Sequence, residues 1–287
     1  MSPVQTVAII GAGLMGSGIA EVSVAQGYDV LLIEQDSERL EGGMGRIRSR
    51  FAREVDRGRQ SQQDADAALA RLSGATSLEA AADRDLVIEA IFENLEAKQS
   101  VFRDLGRICK PDAILASNTS SISLSALAGV SGRAERVIGL HFFNPPGALK
   151  LLEMIPSSAT SEETIEAAAE FCKRIERITV RATDSPGFIV NRLLIPFLFD
   201  AIRMVEAGVA TAADVDHACR FGLNHTMGPL ATADLIGLDT LAGIGDSMFE
   251  ELGEPRFKSP GLLRRLVSLG QLGRKSGAGF LSYDAQG

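Results

Sequence analysis

The sequence predicts an α/β fold in which an N-terminal, doubly wound sheet is followed by an all-α C-terminal domain. Short apolar runs alternate with helical patterns through the first two thirds of the chain, a glycine-rich turn follows the first run, and strand patterns stop at Pro186-Gly187. Such alternation is typical of a parallel sheet covered by helices on both faces. We therefore expect one domain over residues 1–185 and a second over residues 186–287.

The first strand and the turn after it carry the strongest pattern. Residues 7–10 are an apolar run, and the motif GAGLMG at residues 11–16 leads from it into a helix. Strand, G-x-G-x-x-G and helix in this order are typical of a Rossmann-type, dinucleotide-binding domain. The first glycine allows the tight turn, the second admits the diphosphate, and the third lets the helix pack on the strand. The positions assigned to the cofactor are Gly11, Gly13, Leu14, Met15 and Gly16.

Glu34 follows the second predicted strand, residues 29–33. An acid at this point can accept hydrogen bonds from both ribose hydroxyls of NAD. Asp36 and Glu38 come next, and their negative charge would repel the 2′-phosphate of NADP, whereas Arg39 would attract it. The sequence therefore predicts NAD as the cofactor, with Glu34 at the adenosine ribose.

The remaining elements follow from hydrophobic periodicity. In the first domain it predicts helices over 36–57, 60–72, 95–108 and 162–175, strands over 86–90, 113–117 and 178–181, a strand ending at His141, and an apolar run over 149–155. In the second it predicts helices over 188–206, 212–221, 229–235, 238–252 and 261–268. The helix over 188–206 is apolar over much of its surface, which predicts burial in a domain or subunit interface.

His141 ends an apolar run that Asn144-Pro145 breaks, and Glu153 interrupts a second apolar run twelve residues later. Two neighbouring strands could bring imidazole and carboxylate together as a base and its orienting group. For an isolated histidine and glutamate, a buried side chain with satisfied hydrogen bonds is the more frequent case. The dinucleotide motif at the other end of the chain favours the catalytic interpretation.

Polar residues in two further places suggest ligand contacts. Residues 117–121, Ser-Asn-Thr-Ser-Ser, follow a strand at the carboxyl end of the sheet, where open α/β sheets bind ligands. Their hydroxyls could hold a substrate oxygen, or Ser121 could cap the next helix. Asn191 stands in a largely apolar helix, and a position lining the site would satisfy its amide.

Glu89, Glu93 and Lys98 lie around the turn that leads from a strand into a helix. Their spacing suits a place in the site and suits equally a solvated helix start with favourable charges. The residues alone leave both interpretations open.

Composition and charge exclude several classes of function. The formal net charge is −8, from 29 basic and 37 acidic side chains without a basic run, which argues against nucleic acid or an anionic membrane as partner. Cys109, Cys172 and Cys219 are widely spaced, which predicts reduced, buried thiols and no metal site. The chain enters its first strand at once and has no apolar stretch of bilayer length, so we expect a cytoplasmic protein.

Six segments together resemble one family. They are GAGLMG at 11–16, SNTSS at 117–121, GLHFFNP at 139–145, PGFIVNR at 186–192, MGP at 227–229 and GRKSGAGF at 273–280. On these segments the chain resembles the L-3-hydroxyacyl-CoA dehydrogenase family, most closely its bacterial 3-hydroxybutyryl-CoA dehydrogenases. The resemblance covers essentially the whole chain.

The resemblance implies a reversible, NAD-dependent oxidation of a short-chain L-3-hydroxyacyl-CoA to the 3-oxoacyl-CoA, in a homodimer formed through the helical domain. The implied catalytic residues are His141 as base, Glu153 as its partner, and Ser120 and Asn191 as contacts to the substrate. The cofactor contacts expected outside the glycine motif are Glu34, Glu93, Lys98 and Asn118.

The chain departs from the family pattern in two places. At residues 149–151 it has Leu-Lys-Leu where the family usually has Met-Lys-Leu, and the second departure concerns the group that carries the substrate. Family members often carry lysines in the helical hairpin after the second strand, where this chain has Arg50, Arg53, Arg57 and Arg59. Acyl groups on CoA and on an acidic carrier protein both need a positive docking site. The same chemistry on a carrier-bound hydroxyacyl group therefore stays open.

Two further alternatives are disfavoured by particular residues. The related lambda-crystallin and gulonate dehydrogenase branch shares Asn144-Pro145-Pro146, but Phe142-Phe143 and the MGP segment argue against it. A non-catalytic, NAD-binding structural protein would have no need of His141 together with Glu153.

Overall fold

A computed structural model describes residues 3–283 as two compact units, the first ending at Ser185 and the second beginning at Pro186. In chain order the first unit contains β1 Thr6–Ile10, α1 Leu14–Ala25, β2 Asp29–Ile33, α2 Ser37–Asp56, α3 Gln62–Leu69, β3 Leu72–Ala75, β4 Leu86–Glu89, α4 Leu95–Ile108, β5 Ile114–Ser117, α5 Leu124–Ser131, β6 Val137–Phe142, β7 Leu151–Pro156, α6 Glu162–Arg174 and β8 Ile178–Arg181.

The eight strands form one sheet in the order β3-β2-β1-β4-β5-β6-β7-β8. Neighbouring strands are parallel except β6 and β7, which pair antiparallel. The central strands are buried along their whole length, because helices cover both faces of the sheet, and they therefore read as continuous apolar runs. The predicted fold class, a Rossmann-type sheet followed by a helical domain, is confirmed.

The prediction of one helix over residues 60–72 is wrong at its C-terminal end. α3 stops at Leu69, and Leu72–Ala75 form β3, which pairs with β2. β3 is an edge strand with Ser73 and Gly74 exposed, so it lacks the apolar pattern that identifies a strand. The sequence also fails to predict α5, a helix of 8 residues whose start is capped by the Ser123 hydroxyl.

The second unit contains α7 Val190–Glu206, α8 Ala212–Gly222, α9 Pro229–Ile236, α10 Leu238–Leu252 and α11 Gly261–Ser268. α7 begins later than predicted because Gly187 and Phe188 have φ angles of 73° and 48°, which no right-handed helix accepts. Leu198 and Phe199 are buried in this unit, whereas Leu193 is 70% exposed. The predicted burial of α7 in an interface stays a prediction.

The thiols differ in burial. Cys109 and Cys172 are buried, and burial raises the pKa of Cys109 to about 11 and that of Cys172 to about 12. Cys219 is only half-buried, contrary to the expectation of three buried thiols. Within residues 3–283, the helices are all too short or too polar to cross a membrane.

Candidate active site

The glycine turn has the shape that the sequence predicts. Gly11 has φ 103°, and a side chain there would meet the Ala90 carbonyl oxygen at 2.7 Å. A Cβ at Gly16 would lie 1.8 Å from the Gly11 carbonyl oxygen, so α1 packs this closely only with glycine. Apart from its chain neighbours, no described atom lies within 4 Å of a Cβ placed at Gly13. That side of the turn is open, as a bound diphosphate requires.

A cleft of about 620 Å³ opens beside this turn. Gly11, Gly13, Glu34 and Phe92 line it. Leu14 and Met15 are the first residues of α1, and their contact with the cofactor stays a prediction. Glu34 Oε2 accepts a hydrogen bond from the Ala12 amide at 3.2 Å, which places the carboxylate next to the turn. The groups present fit a dinucleotide, because the turn offers amides for the diphosphate and Glu34 offers a carboxylate for the ribose hydroxyls.

His141 and Glu153 lie opposite each other in the antiparallel pair of β6 and β7. Both are buried, and His141 Nδ1 is 2.7 Å from Glu153 Oε2. An ionised carboxylate only accepts, so Nδ1 carries the proton and the neutral ring keeps its lone pair on Nε2. That nitrogen lies 3.2 Å from Ser120 Oγ. The structure thus brings three of the predicted catalytic residues together, and their roles as base, orienting partner and substrate contact stay predictions.

Glu93 holds the loop that carries Ser120. Its Oε1 accepts from the Thr119 hydroxyl at 2.5 Å and from the backbone amides of Ser120 and Ser121 at 2.9 and 3.1 Å. Burial acts to raise the pKa of Glu93, but the charge of Lys98 and these donors outweigh it and lower the pKa below its ordinary value. The carboxylate therefore stays ionised and keeps accepting from the loop.

Lys98 lies behind this loop between two carboxylates. Its Nζ is 2.6 Å from Glu89 Oε1 and 3.3 Å from Glu93 Oε2, and the side chains of Lys98 and Glu89 are 1% and 0% exposed. Glu89 Oε2 also accepts from the Ser117 hydroxyl at 2.6 Å. A solvated helix start is therefore the wrong interpretation of Glu89 and Lys98. The contact of Glu93 and Lys98 with the cofactor stays a prediction.

The other polar residues of the SNTSS segment fix the strand ends. Asn118 Oδ1 accepts from the Phe142 amide at 2.9 Å, which ties the segment after β5 to the end of β6. The predicted cap Ser121 instead donates its hydroxyl to Glu93 at 3.2 Å, and Ser123 caps α5. Asp184, which sequence reasoning misses, accepts from the Leu124 amide at 2.9 Å. Asp184 and Leu124 are 60 residues apart in the sequence, so no local sequence pattern predicts this contact.

Asn191 belongs to the second unit, where it is the second residue of α7 and half-buried. The amide stands at the helix start and not one turn inside it, because α7 begins at Val190. Its contact with the substrate stays a prediction.

The four arginines of the hairpin differ in their partners. Arg50 pairs with Glu21 at 2.6 Å, and burial, opposed by Arg50, raises the pKa of Glu21. Arg57 and Arg59 lie 3.3 and 3.5 Å from Glu54. Arg53 is exposed, and within residues 3–283 it makes no ion pair. Arg53 is therefore the hairpin arginine most available to a phosphate.

Sequence reasoning misses Arg46, which lines the cleft from α2. Its Nη2 donates to the Ala12 carbonyl oxygen, and its Nε is 3.4 Å from Ser17 Oγ. α2 comes this close because Gly43 packs on the turn, where a Cβ would lie 2.7 Å from the Ala12 Cβ. Gly43 is the available signal in the sequence, because a glycine inside a helix permits this close approach.

Two family models match the chain. The NAD-binding domain of 3-hydroxyacyl-CoA dehydrogenase matches residues 6–185, and the C-terminal domain matches residues 187–283. The chain belongs to the 3-hydroxyacyl-CoA dehydrogenase family. The predicted resemblance is confirmed, and with it an oxidoreductase that uses NAD.

Several relatives within the 3-hydroxyacyl-CoA dehydrogenase family align over nearly their full length. The 3-hydroxybutyryl-CoA dehydrogenase of Mycobacterium tuberculosis is 46% identical over 98% of this chain and 99% of its own. The crystal structure of M. tuberculosis FadB2 gives a TM-score of 0.96 at 46% identity, covering 99% of this chain and 100% of that one. That of (S)-3-hydroxybutyryl-CoA dehydrogenase PaaH1 from Ralstonia eutropha gives 0.94 at 37% identity, covering 98% and 99%.

Proposed function

We propose that this enzyme interconverts short-chain L-3-hydroxyacyl-CoA, such as 3-hydroxybutyryl-CoA, and the corresponding 3-oxoacyl-CoA with NAD. One observation carries the proposal: the lone pair of a buried imidazole, oriented by Glu153, faces the Ser120 hydroxyl at the edge of a dinucleotide-binding sheet. The names of the M. tuberculosis and R. eutropha relatives support the short acyl chain.

The pair of His141 and Glu153, called the dyad below, suffices for the proton transfer that this reaction needs. A secondary alcohol becomes a ketone only if its hydroxyl proton leaves together with a hydride from carbon. His141 Nε2 takes that proton, and Glu153 stabilises the imidazolium on the opposite nitrogen. In the reductive direction the same imidazolium returns the proton. Bound NAD supplies the hydride acceptor, and Ser120 and Asn191 hold the 3-oxygen or the thioester.

Glu34 is proposed to select NAD, and its removal should weaken that choice. In Glu34→Ala the ribose loses an acceptor and a 2′-phosphate loses a repelling charge, so we expect KM for NAD to rise by about tenfold. The preference for NAD over NADP should narrow by a similar factor. Initial rates with both cofactors measure this, and Glu166→Ala, an exposed acid on α6 outside the cleft lining, is the matched control. A wild type that prefers NADP would refute the role of Glu34.

Arg53 is proposed to contact a phosphate of CoA. A phosphate contact on an exposed surface is worth about 1 to 2 kcal/mol, so Arg53→Ala should raise KM for acetoacetyl-CoA about five- to thirtyfold with kcat nearly intact. The short pantetheine thioester, which lacks the phosphates, should be used equally by both proteins. NADH absorbance follows each reaction.

Arg103→Ala is the control, because Arg103 is exposed on α4 outside the hairpin. A variant with alanine at Arg50, Arg53, Arg57 and Arg59 extends the test. If wild type uses both thioesters equally well and this variant changes neither, CoA recognition by the hairpin is refuted. A carrier-protein substrate then becomes the better hypothesis.

A homodimer through the helical unit is part of the proposal. Large apolar side chains of this unit are exposed, and burial of such side chains against a second copy would favour association. They are Ile189, Leu193, Met204, Val209, Phe221, Leu223, Leu235 and Leu269. A cytoplasmic location remains a prediction from the sequence.

A further inference from the structure

Arg46 places a positive charge at the glycine turn. It extends from α2 to the carbonyl oxygen of Ala12 and to the hydroxyl of Ser17, which lies on α1. Both partners belong to the segment that leads from β1 into the first helix. The charge is thus fixed beside the backbone that a G-x-G-x-x-G motif offers to a diphosphate.

The Arg46 guanidinium has N–H donors beyond those that contact Ala12 and Ser17. It has five N–H groups, of which one on Nη2 reaches Ala12 and the one on Nε faces Ser17. In the described part of the chain, Nη1 has no hydrogen-bond partner. Arg46 is half-buried and lines the cleft, and the turn beside it is open at Gly13. An anion in the cleft can therefore accept from this side chain without breaking its existing contacts.

Arg46 could contact one of two phosphate groups of a dinucleotide, the diphosphate or the 2′-phosphate of NADP. A 2′-phosphate would lie at the ribose, beside Glu34 and near Arg39, which starts α2 close to the end of β2. Arg46 instead contacts the turn and α1, and the diphosphate of a dinucleotide lies against this part of the fold. The contacts therefore favour the diphosphate.

We propose that Arg46 is a further cofactor-binding residue, which forms charge-assisted hydrogen bonds to the diphosphate of NAD. The inference rests on the proposed binding of NAD in this cleft and deepens it. The start of α1 supplies amide donors and a partial positive charge, whereas Arg46 supplies a full one. Affinity for the diphosphate then depends on two elements, the turn and α2.

Displacement of bound NADH by competing ligands, followed by NADH fluorescence in the full-length protein, tests this role. ADP-ribose and ADP contain the diphosphate, and adenosine lacks it. In Arg46→Ala we expect the Kd of ADP-ribose and of ADP to rise about five- to thirtyfold and that of adenosine to stay unchanged. Arg46→Lys keeps the charge but loses the planar fork, so it should recover part of the affinity.

Arg48→Ala is the matched control, because Arg48 lies on the same helix, is exposed and pairs with Glu41 at 2.6 Å. It should bind all three ligands as wild type does. An equal loss of adenosine binding in Arg46→Ala would show that Arg46 only tethers α2 to the turn, and would overturn the proposal. Unchanged ADP-ribose binding in Arg46→Ala would overturn it as well.

Ligand binding by the wild type distinguishes a failure of the role of Arg46 from a failure of the proposed function. A wild type that binds NADH and ADP-ribose, with Arg46→Ala binding both equally well, refutes only the role of Arg46. A wild type that binds neither refutes the proposed function and the role of Arg46 together.

Discussion

Glu153→Gln should lower kcat by about 10²- to 10⁴-fold and leave the Kd of NADH nearly unchanged. The carboxylate is fully buried, and its contact with Nδ1 at 2.7 Å fixes the imidazole tautomer. A glutamine amide carries no charge to stabilise the imidazolium, and it can turn its NH₂ group to Nδ1 and favour the tautomer with Nε2 protonated. That tautomer cannot accept the substrate proton.

Steady-state rates with acetoacetyl-CoA and NADH, together with NADH binding, measure the effect. Glu170→Gln is the control, because it makes the same chemical change at an exposed position on α6. An unchanged kcat in Glu153→Gln would end the assignment of the dyad. A parallel loss of NADH binding would mean that the substitution damages the sheet and not the proton transfer.

Lys98→Met should lower the free energy of unfolding by about 3 to 5 kcal/mol, the usual cost of removing one partner from a buried ion pair. Lys98 and Glu89 are 1% and 0% exposed, so the substitution leaves a carboxylate buried without its cation. Glu93 also loses the charge that helps to lower its pKa, and the loop carrying Ser120 depends on that carboxylate. We expect kcat to fall as well.

Chemical unfolding of the full chain measures the loss of stability, with Lys275→Met as control. Lys275 pairs with Asp239 at the surface, where the pair is 47% and 41% exposed, and such pairs contribute at most about 1 kcal/mol. The double variant Glu89→Gln/Lys98→Met should recover part of the stability, because the fully buried carboxylate of Glu89 is then replaced by a neutral amide. Equal destabilisation by Lys98→Met and Lys275→Met would contradict the buried pair.

The sequence predicts the fold wherever an element buries a regular face. α4 and α10 have the predicted bounds because their apolar residues recur at helical spacing along the whole element. β3 and α5 are not predicted, for two different reasons. β3 is a half-exposed edge strand, so it has little of the apolar pattern that burial produces. α5 buries Leu124 and Leu127, but with 8 residues it is shorter than the window over which helical periodicity can be recognised.

The site is predictable to the extent that its residues stand next to recognisable elements. His141 and Glu153 each interrupt or end an apolar run, and strand pairing alone can bring them together. The environment of Lys98 is not predictable in this way, since Ser117 and Thr119 reach its carboxylate partners from another strand. Arg50 likewise meets Glu21 across 29 residues of chain, which no spacing rule anticipates.

The contact between His141 and Glu153 depends on the register of the antiparallel pair β6 and β7. His141 faces Glu153 because the two residues are direct partners, and successive side chains of a strand point to opposite faces. One residue inserted within β7 would turn the carboxylate to the other face of the sheet. Residues inserted between the strands, at 143–150, would leave the pairing intact. The contact between His141 and Glu153 therefore depends on the register of β6 and β7 and not on the length of the loop that joins them.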